Sequence, residues 1–284
     1  MSATQSTGSE PAADPPPSRA PEGDWLGTPY LRFERQGPIA VCTVDRPAKR
    51  NALTPAMYFG LRYAIDHVNA TPELAGLIIT GVDDVFIPGG DMTGDYADGW
   101  SDALDLLGMD LTPFDAVRNS RKPVVCAING ICQGGGLMIA MLAEVTVAVD
   151  TATFRAPELL RGIADTNYAQ ILPRQIGPAR ARDMLLTART VTATEALAWG
   201  LVTRVVPADQ LMAAALEAMV ELNQAGPEAR AAVKRAMDEF YGHYDRMGMD
   251  ASLASAECVE GWVSFKERRP PNWINPDLPT AGPR

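Results

Sequence analysis

The stretch PVVCAINGICQGGG, residues 123–136, decides the fold class of this chain. Its first six residues are apolar without interruption, which predicts a strand covered on both faces of a sheet. Asn129 and Gly130 then predict a turn, and three consecutive glycines lead into the apolar residues 137–143, which predict a helix. A buried strand, a glycine run and a helix in this order indicate an α/β protein.

The same plan recurs on both sides of this stretch. Apolar runs predict strands at residues 77–80 and 145–149. Two further short segments, 31–34 and 39–44, predict the strands of a hairpin across the turn at 36–38. Strands that alternate with helices favour a sheet covered on both faces.

Helix signals begin at Thr54, which predicts an N-cap followed by proline at the first helical position. Thr192 and Glu195 have the spacing of a capping box. From residue 156 onward helices dominate, and the predicted segments are 179–187, 192–199, 209–223, 227–241 and 250–266. We therefore divide the chain into a disordered tail (1–25), an α/β core (26–207) and a helical C-terminal region (208–284).

Composition excludes several function classes. The chain has 284 residues, 46% of them hydrophobic, and a net charge of -10, which repels nucleic-acid phosphates and anionic lipid headgroups. No apolar stretch reaches the roughly 20 residues that span a bilayer. We expect a soluble, cytoplasmic protein with neither nucleic acid nor membrane as a partner.

Metal and thiol chemistry are not predicted. The four cysteines have no CxxC spacing, so we interpret them as buried apolar side chains in a reducing cytoplasm. The two histidines, His67 and His243, lie in amphipathic helical patterns without metal-binding spacing. Carboxylates or backbone groups must therefore carry any chemistry.

Two glycine turns are candidates for a site. Gly134, Gly135 and the glycine after them let backbone N–H groups and a helix N-terminus point at a ligand, although close strand–helix packing also explains such a run. Gly89 and Gly90 follow a different strand. If the turns converge, their N–H groups would stabilise a carbonyl oxygen that becomes negative, each by about 3 kcal/mol.

Five ordered motifs between residues 31 and 273 resemble the enoyl-CoA hydratase/isomerase (crotonase) family. They are VDRPAKRNAL (44–53), FIPGGD (86–91), ING leading into the glycines (128–136), FRAPE (154–158), and LTAR through EA and GLV to VVP (186–207). The resemblance implies a spiral of ββα units with a C-terminal helical trimerisation region, assembled as a homotrimer or dimer of trimers. It also implies an acyl-CoA substrate and no separate cofactor, since coenzyme A enters as part of the thioester.

The resemblance also implies an oxyanion hole for the thioester enolate. By motif position its two backbone donors would be Gly135 and Pro88. Proline has no N–H, so either Gly89 supplies the second hydrogen bond through a shifted turn or the site has one donor fewer.

Of the two glutamates that family hydratases use, Glu158 holds one position and Met138 holds the other. A single carboxylate resembles the family's double-bond isomerases, and makes Glu158 the predicted proton carrier. A raised pKa in an apolar pocket would suit that task. A solvated residue in an early helical turn is the alternative for Glu158.

Asp165 falls where the segment resembles the family's aryl-CoA dehalogenases, near an acid of its carbon–carbon bond hydrolases. It could be a second general acid, a nucleophile or a helix N-cap. We therefore expect an enzyme of the hydratase/isomerase type. The alternatives are hydrolase or dehalogenase-like chemistry at Asp165, or a CoA-ester binder without catalysis, given Met138 and Pro88.

The ligand's nucleotide part is expected at the first two motifs. Lys49 and Arg50, with Ala52, Gly90 and Asp91, are the candidate residues that bind coenzyme A. Arg268 or Arg269 could also meet its phosphates. Residues 92–114 are where the family builds the acyl pocket.

Overall fold

A six-stranded sheet forms the centre of the molecule. The structure is a computed structural model, and it describes residues 23–93, 113–241 and 245–274. With strands numbered along the chain, neighbours in the sheet follow the order β1 (Leu31–Gln36), β2 (Ile39–Val44), β3 (Gly76–Gly81), β5 (Val124–Ile128), β7 (Val145–Val149) and β10 (Arg204–Val206). The β1–β2 hairpin is antiparallel and the other pairs are parallel. The predicted hairpin and buried strands are thus confirmed.

A second, smaller sheet contains short strands that the sequence did not predict. They are β4 (Val85–Ile87), β6 (Ile131–Gln133), β8 (Thr153–Arg155) and β9 (Val191–Thr192). The strands β4, β6 and β8 are parallel neighbours, whereas β9 pairs antiparallel to β8.

The two sheets are built from a repeated ββα unit. In each unit a strand of the large sheet is followed by a strand of the small sheet, giving the pairs β3–β4, β5–β6 and β7–β8. The helices that follow these pairs are α2 (Pro113–Asn119), α3 (Gly135–Leu142) and α4 (Thr166–Ile176). The expected ββα architecture is therefore present.

The remaining helices surround this framework. They are α1 (Pro55–Ala70), α5 (Pro178–Thr187), α6 (Ala193–Trp199), α7 (Leu211–Leu222), α8 (Pro227–Glu239), α9 (Arg246–Leu253) and α10 (Ala256–Glu267). Helix α1 packs against β1, β2 and β3, and α7 packs against β3, β5 and β7. The side chains of β5 are buried along its whole length, as the uninterrupted apolar run predicts.

Two helix starts follow from their capping residues. Thr54 Oγ1 accepts a hydrogen bond from the Met57 N–H at 3.2 Å, and Pro55 is the first residue of α1. Thr192 Oγ1 accepts a hydrogen bond from the Glu195 N–H. In return, the Glu195 carboxylate accepts a hydrogen bond from the Thr192 N–H. These bonds satisfy first-turn N–H groups, which confirms both predicted caps.

The C-terminal helical region differs from the prediction in one place. The single helix expected over residues 250–266 is two helices, α9 and α10, with a break at Ser255. Ser255 Oγ accepts a hydrogen bond from the Cys258 N–H at 3.1 Å and so starts a new helix. A serine that bonds to nearby backbone competes with helix continuation, which explains the break.

Aromatic rings fix the N-terminal end of the described chain. Trp25, the last residue of the predicted tail, packs edge-on against Phe33 with ring centroids 5.0 Å apart. It also packs against His67 at 4.7 Å. Residues 1–22 of that tail, and His243, lie outside the described residues.

The cysteines are free and buried, as predicted, at Cys42, Cys126, Cys132 and Cys258. Within the described ranges, no helix is long and apolar enough to cross a membrane. Over the same ranges, no group of three or more histidine, cysteine or acidic side chains could hold a metal ion.

Candidate active site

Three backbone turns meet at one edge of the small sheet. Because β4, β6 and β8 are parallel neighbours, the residues that follow each strand leave the sheet at the same edge. The residues in question are Pro88 and Gly89 after β4, Gly134 and Gly135 after β6, and Pro157 and Glu158 after β8.

The two glycine turns face each other. A Cβ atom added to Gly89 would lie 3.7 Å from the Gly134 Cα and 4.0 Å from the Gly135 nitrogen. Gly89 has a φ of 111° and Gly134 a φ of 52°, which are conformations that side chains disfavour. The convergence that the sequence suggested is therefore present, and it depends on glycine at both turns.

Gly135 presents its N–H at the start of a helix. It is the first residue of α3, so this N–H precedes the intrahelical hydrogen bonds and lies at the positive end of the helix. The preceding carbonyl, that of Gly134, accepts hydrogen bonds from the Met138 N–H at 3.1 Å and from Tyr168 Oη at 2.5 Å. These contacts fix the turn from two helices.

Glu158 lies against the same turn. A Cβ atom added to Gly134 would lie 3.2 Å from Glu158 Oε1. The other oxygen, Oε2, is fully buried and accepts no hydrogen bond from the described residues. Burial, with a contribution from the Asp165 charge, raises the pKa of Glu158 from 4.5 to about 8. The carboxyl is consequently mostly protonated at neutral pH.

Asp165 is the N-cap of α4, which was one of its predicted roles. Its Oδ1 accepts hydrogen bonds from the N–H groups of Asn167 at 2.9 Å and Tyr168 at 3.3 Å. Burial raises the pKa of Asp165 from 3.8 to about 6, and these two hydrogen bonds oppose that rise. Asp165 therefore ionises at a lower pH than its neighbour Glu158.

All three turns open into one cavity of about 760 Å³. Glu158 and Asp165 both line it, and so does Met138, which is buried in α3 and has no proton to exchange. Aromatic side chains from distant parts of the chain form much of its apolar wall, namely Tyr58, Phe114, Trp262 and Phe265.

A buried ion pair supports the turn after β4. Gly90 pairs with Leu53 in a parallel bridge, in which the Leu53 N–H donates to the Gly89 carbonyl at 2.9 Å. The next residue, Asp91, forms an ion pair with Arg46 at 2.7 Å, and both side chains are buried. Asp91 is therefore bound to the protein itself as well as lining the cavity.

The predicted coenzyme A residues are only partly brought together. Lys49, Ala52 and Gly90 line the cavity, whereas Arg50 is an exposed residue with a left-handed conformation that does not line it. At the other end of the chain, Arg269 forms ion pairs with two glutamates of α10 and lies outside the cavity lining.

The remaining predicted regions are placed as follows. Arg268 ends α10 in a left-handed conformation and does not line the cavity. Of the expected acyl pocket at residues 92–114, residues 94–112 lie outside the described residues. Met92, Thr93 and Phe114, which flank them, line the cavity.

A match to a known family fits this geometry. Residues 34–276 match the family model described as enoyl-CoA hydratase/isomerase. The chain belongs to this family. It is accordingly an enzyme of the hydratase/isomerase type, with the family's α/β fold.

The matches to individual members of the enoyl-CoA hydratase/isomerase family extend over nearly the whole length of each relative. A carnitinyl-CoA dehydratase from Salmonella arizonae is 35% identical over 256 residues, which are 86% of this chain and 97% of that protein. The structure of a carnitinyl-CoA dehydratase from Mycobacterium avium 104 is 30% identical, with a TM-score of 0.70 over 87% of this chain and 99% of that one. An enoyl-CoA hydratase structure from Mycobacterium avium subsp. paratuberculosis K-10 is 27% identical, with a TM-score of 0.73 over 87% and 99%.

Several cavity residues of this family member were not singled out by its sequence. Tyr58 on α1, Arg161 after β8, and Trp262 and Phe265 on α10 all line the site. The Arg161 guanidinium lies over the Phe265 ring, 4.4 Å from its centroid. Only contacts between segments far apart in the chain reveal these residues. Tyr58 gave no distinct signal in the sequence, because α1 also contains Phe59 and Tyr63.

Proposed function

We propose that this enzyme forms and quenches the enolate of an acyl-CoA thioester, with the Gly135 N–H bound to the thioester oxygen and Glu158 as the proton carrier. The observation that carries the proposal is the Glu158 carboxyl, which lies beside the Gly134 turn with a pKa near 8. A pKa close to the working pH lets one group both accept and return a proton.

The geometry gives each group a separate task. The Gly135 N–H lies at the positive end of α3, where it stabilises negative charge that develops on the oxygen. The ionised Glu158 takes a proton from the adjacent carbon, and the neutral form returns one to the acyl chain. Glu158 lines the cavity in which the acyl chain would bind, so its carboxyl is available for that transfer.

Two reactions follow from this enolate. Return of the proton to a different carbon moves the double bond, whereas loss of hydroxide from the next carbon gives an enoyl thioester and water. The relatives named carnitinyl-CoA dehydratase support the second. For that reaction the two carboxyls must share one proton, with Glu158 ionised and Asp165 neutral, although their pKa values of about 8 and 6 place that proton mostly on Glu158. In this form Asp165, which lines the same cavity, is the candidate to protonate the departing hydroxide, because Met138 cannot.

The test follows exchange of the α-hydrogen of butyryl-CoA in deuterated water by NMR. Glu158→Gln should lose exchange while it still binds the thioester, and exposed Glu228→Gln on α8 is the matched control. Below pH 8 the exchange rate should rise with pH as Glu158 ionises, and it should level off above. Full exchange by Glu158→Gln would contradict the proposal.

Three activity assays then distinguish hydratase, dehydratase and isomerase activity. They measure the hydration of crotonyl-CoA, the dehydration of carnitinyl-CoA and the migration of the double bond in 3-hexenoyl-CoA. Asp165→Asn keeps a side chain that can cap α4. It should slow dehydration more than migration. A thioester adduct on Asp165 by mass spectrometry would instead favour nucleophilic chemistry, and tight binding without exchange would favour a CoA-ester binder.

We also propose assembly into a homotrimer or dimer of trimers through the C-terminal helices. Val233 and Met237 of α8 and its C-cap residue Phe240 follow one another at helical spacing, and 59%, 64% and 66% of their surfaces are exposed. Val233→Glu should lower the molar mass measured by sedimentation equilibrium. An unchanged mass of three or six chains would place the contact elsewhere.

A further inference from the structure

Tyr58 places a hydroxyl in the cavity. It lies in the second turn of α1, where its N–H donates to the Thr54 carbonyl in the first hydrogen bond of the helix. The residue is only 7% exposed, and that surface lines the cavity. A buried phenol ring gains stability from apolar packing, while its hydroxyl can donate and accept hydrogen bonds.

The Tyr58 hydroxyl lies between the two glycine turns. A Cβ atom added to Gly90 would lie 3.5 Å from Tyr58 Oη. A Cβ atom added to Gly135 would overlap the same oxygen. Gly90 belongs to the turn after β4 and Gly135 to the turn after β6, so the hydroxyl faces both backbone segments that surround the proposed thioester oxygen.

The turn after β4 has no N–H at the position where the family resemblance places its donor. Pro88 occupies the position from which the second backbone N–H is expected, and proline has none. A hydroxyl close to this turn can supply the same kind of hydrogen bond, because oxyanion holes use side-chain donors as well as backbone N–H groups.

We propose that the Tyr58 hydroxyl donates a hydrogen bond to the thioester oxygen, opposite the Gly135 N–H, and so replaces the donor missing at Pro88. This inference rests on the proposed function. No covalent bond forms or breaks at Tyr58: its proton stays on the phenol, while negative charge grows on the thioester oxygen and decays again.

The ring is held in place before any ligand binds. Phe114 of α2 packs edge-on against the Tyr58 ring, with centroids 6.1 Å apart and planes at 71°. Thr54 and Pro55 fix the start of α1, one turn earlier. A donor held by packing needs little reorganisation as charge develops, which is the condition for effective transition-state stabilisation.

The substitution Tyr58→Phe removes only the hydroxyl oxygen and so tests the proposed hydrogen bond. Tyr58→Phe should lower kcat for α-hydrogen exchange by about 100-fold, with little change in KM. With crotonyl-CoA carrying carbon-13 at the thioester carbonyl, the infrared shift of that carbonyl on binding should become smaller than in the wild type. Tyr63→Phe is the matched control, since Tyr63 is also buried on α1 but does not line the cavity.

A rescue experiment distinguishes hydrogen bonding from packing. Pro88→Ala restores a backbone N–H at the turn after β4, so the double variant with Tyr58→Phe should recover part of the lost rate. A merely structural tyrosine would show no such recovery. We expect the double variant to recover part of the α-hydrogen exchange rate and part of the infrared shift of the thioester carbonyl.

Two outcomes would overturn the inference. In the first, wild type and Tyr58→Phe shift the infrared band of the thioester carbonyl equally and exchange the α-hydrogen at the same rate. Tyr58 then does not contact the thioester, and the proposed function stands without it. In the second, the wild type neither shifts the infrared band of the carbonyl nor exchanges the α-hydrogen. The proposed function then fails, and the role of Tyr58 fails with it.

Discussion

Replacing Glu158 with Gln should make the protein more stable at alkaline pH, although it removes the proposed proton carrier. In the folded protein, burial and the Asp165 charge raise the pKa of Glu158 from 4.5 to about 8. Between these two values the unfolded chain releases a proton that the folded protein retains. The free energy of unfolding therefore falls as pH rises through this window, by up to roughly 5 kcal/mol.

Urea unfolding, followed by circular dichroism from about pH 5 to about pH 9, measures this contribution. Near the lower end, wild type and Glu158→Gln should have similar stability, because the buried side chain is uncharged in both: a protonated carboxyl in the wild type and an amide in the variant. The variant should then gain about 1.4 kcal/mol over the wild type for each pH unit. Above pH 8 the difference should become constant.

Two further variants complete the measurement. Glu228→Gln, in the exposed first turn of α8, should keep the pH dependence of the wild type. Asp165→Asn removes the neighbouring charge, so the pKa of Glu158 should fall and its unfavourable contribution should shrink. A difference between Glu158→Gln and wild type that stays constant with pH would refute the reasoning, because it would mean that Glu158 ionises at its ordinary pKa.

Three other predictions follow from the site. Gly135→Ala should abolish turnover, since the added methyl group would overlap the Tyr58 hydroxyl; kinetics beside a circular dichroism spectrum will show whether activity is lost from a folded protein. Arg46→Ala should lower the free energy of unfolding by about 3–5 kcal/mol, because the buried Asp91 loses its ion pair. A loss below about 1 kcal/mol on urea unfolding would contradict this. Lys49→Ala should raise the KM for CoA thioesters at low salt and have less effect at high salt; equal effects at both would exclude a charge contact.

Five of the six strands of the large sheet could be predicted from the sequence because they carry their own signal, whereas the three-residue strand β10 could not. Uninterrupted apolar runs such as Val124–Ile128 have no polar face, so they must be covered on both sides. The small sheet carried no such signal. Strands of three residues, such as Ile131–Gln133, are too short for any periodicity, and only pairing with distant strands defines them.

The site was predictable only in part, for a related reason. Short motifs brought Gly135 and Glu158 to attention, and the structure places them at neighbouring turns. The N-cap was one of three roles that the sequence left open for Asp165, although the helix that it caps, α4, was not among the predicted segments. Tyr58 was missed because its meaning comes from Gly90 and Gly135, which are far from it in the chain.

The parallel run of β4, β6 and β8 has a consequence for redesign. Gly89, Gly135 and Glu158 each lie just beyond the end of one of these strands, whereas the ladder that joins the strands consists of main-chain hydrogen bonds that do not depend on side-chain identity. A library that varied only the residues just beyond these strand ends could change the reaction that the site catalyses and leave the fold intact.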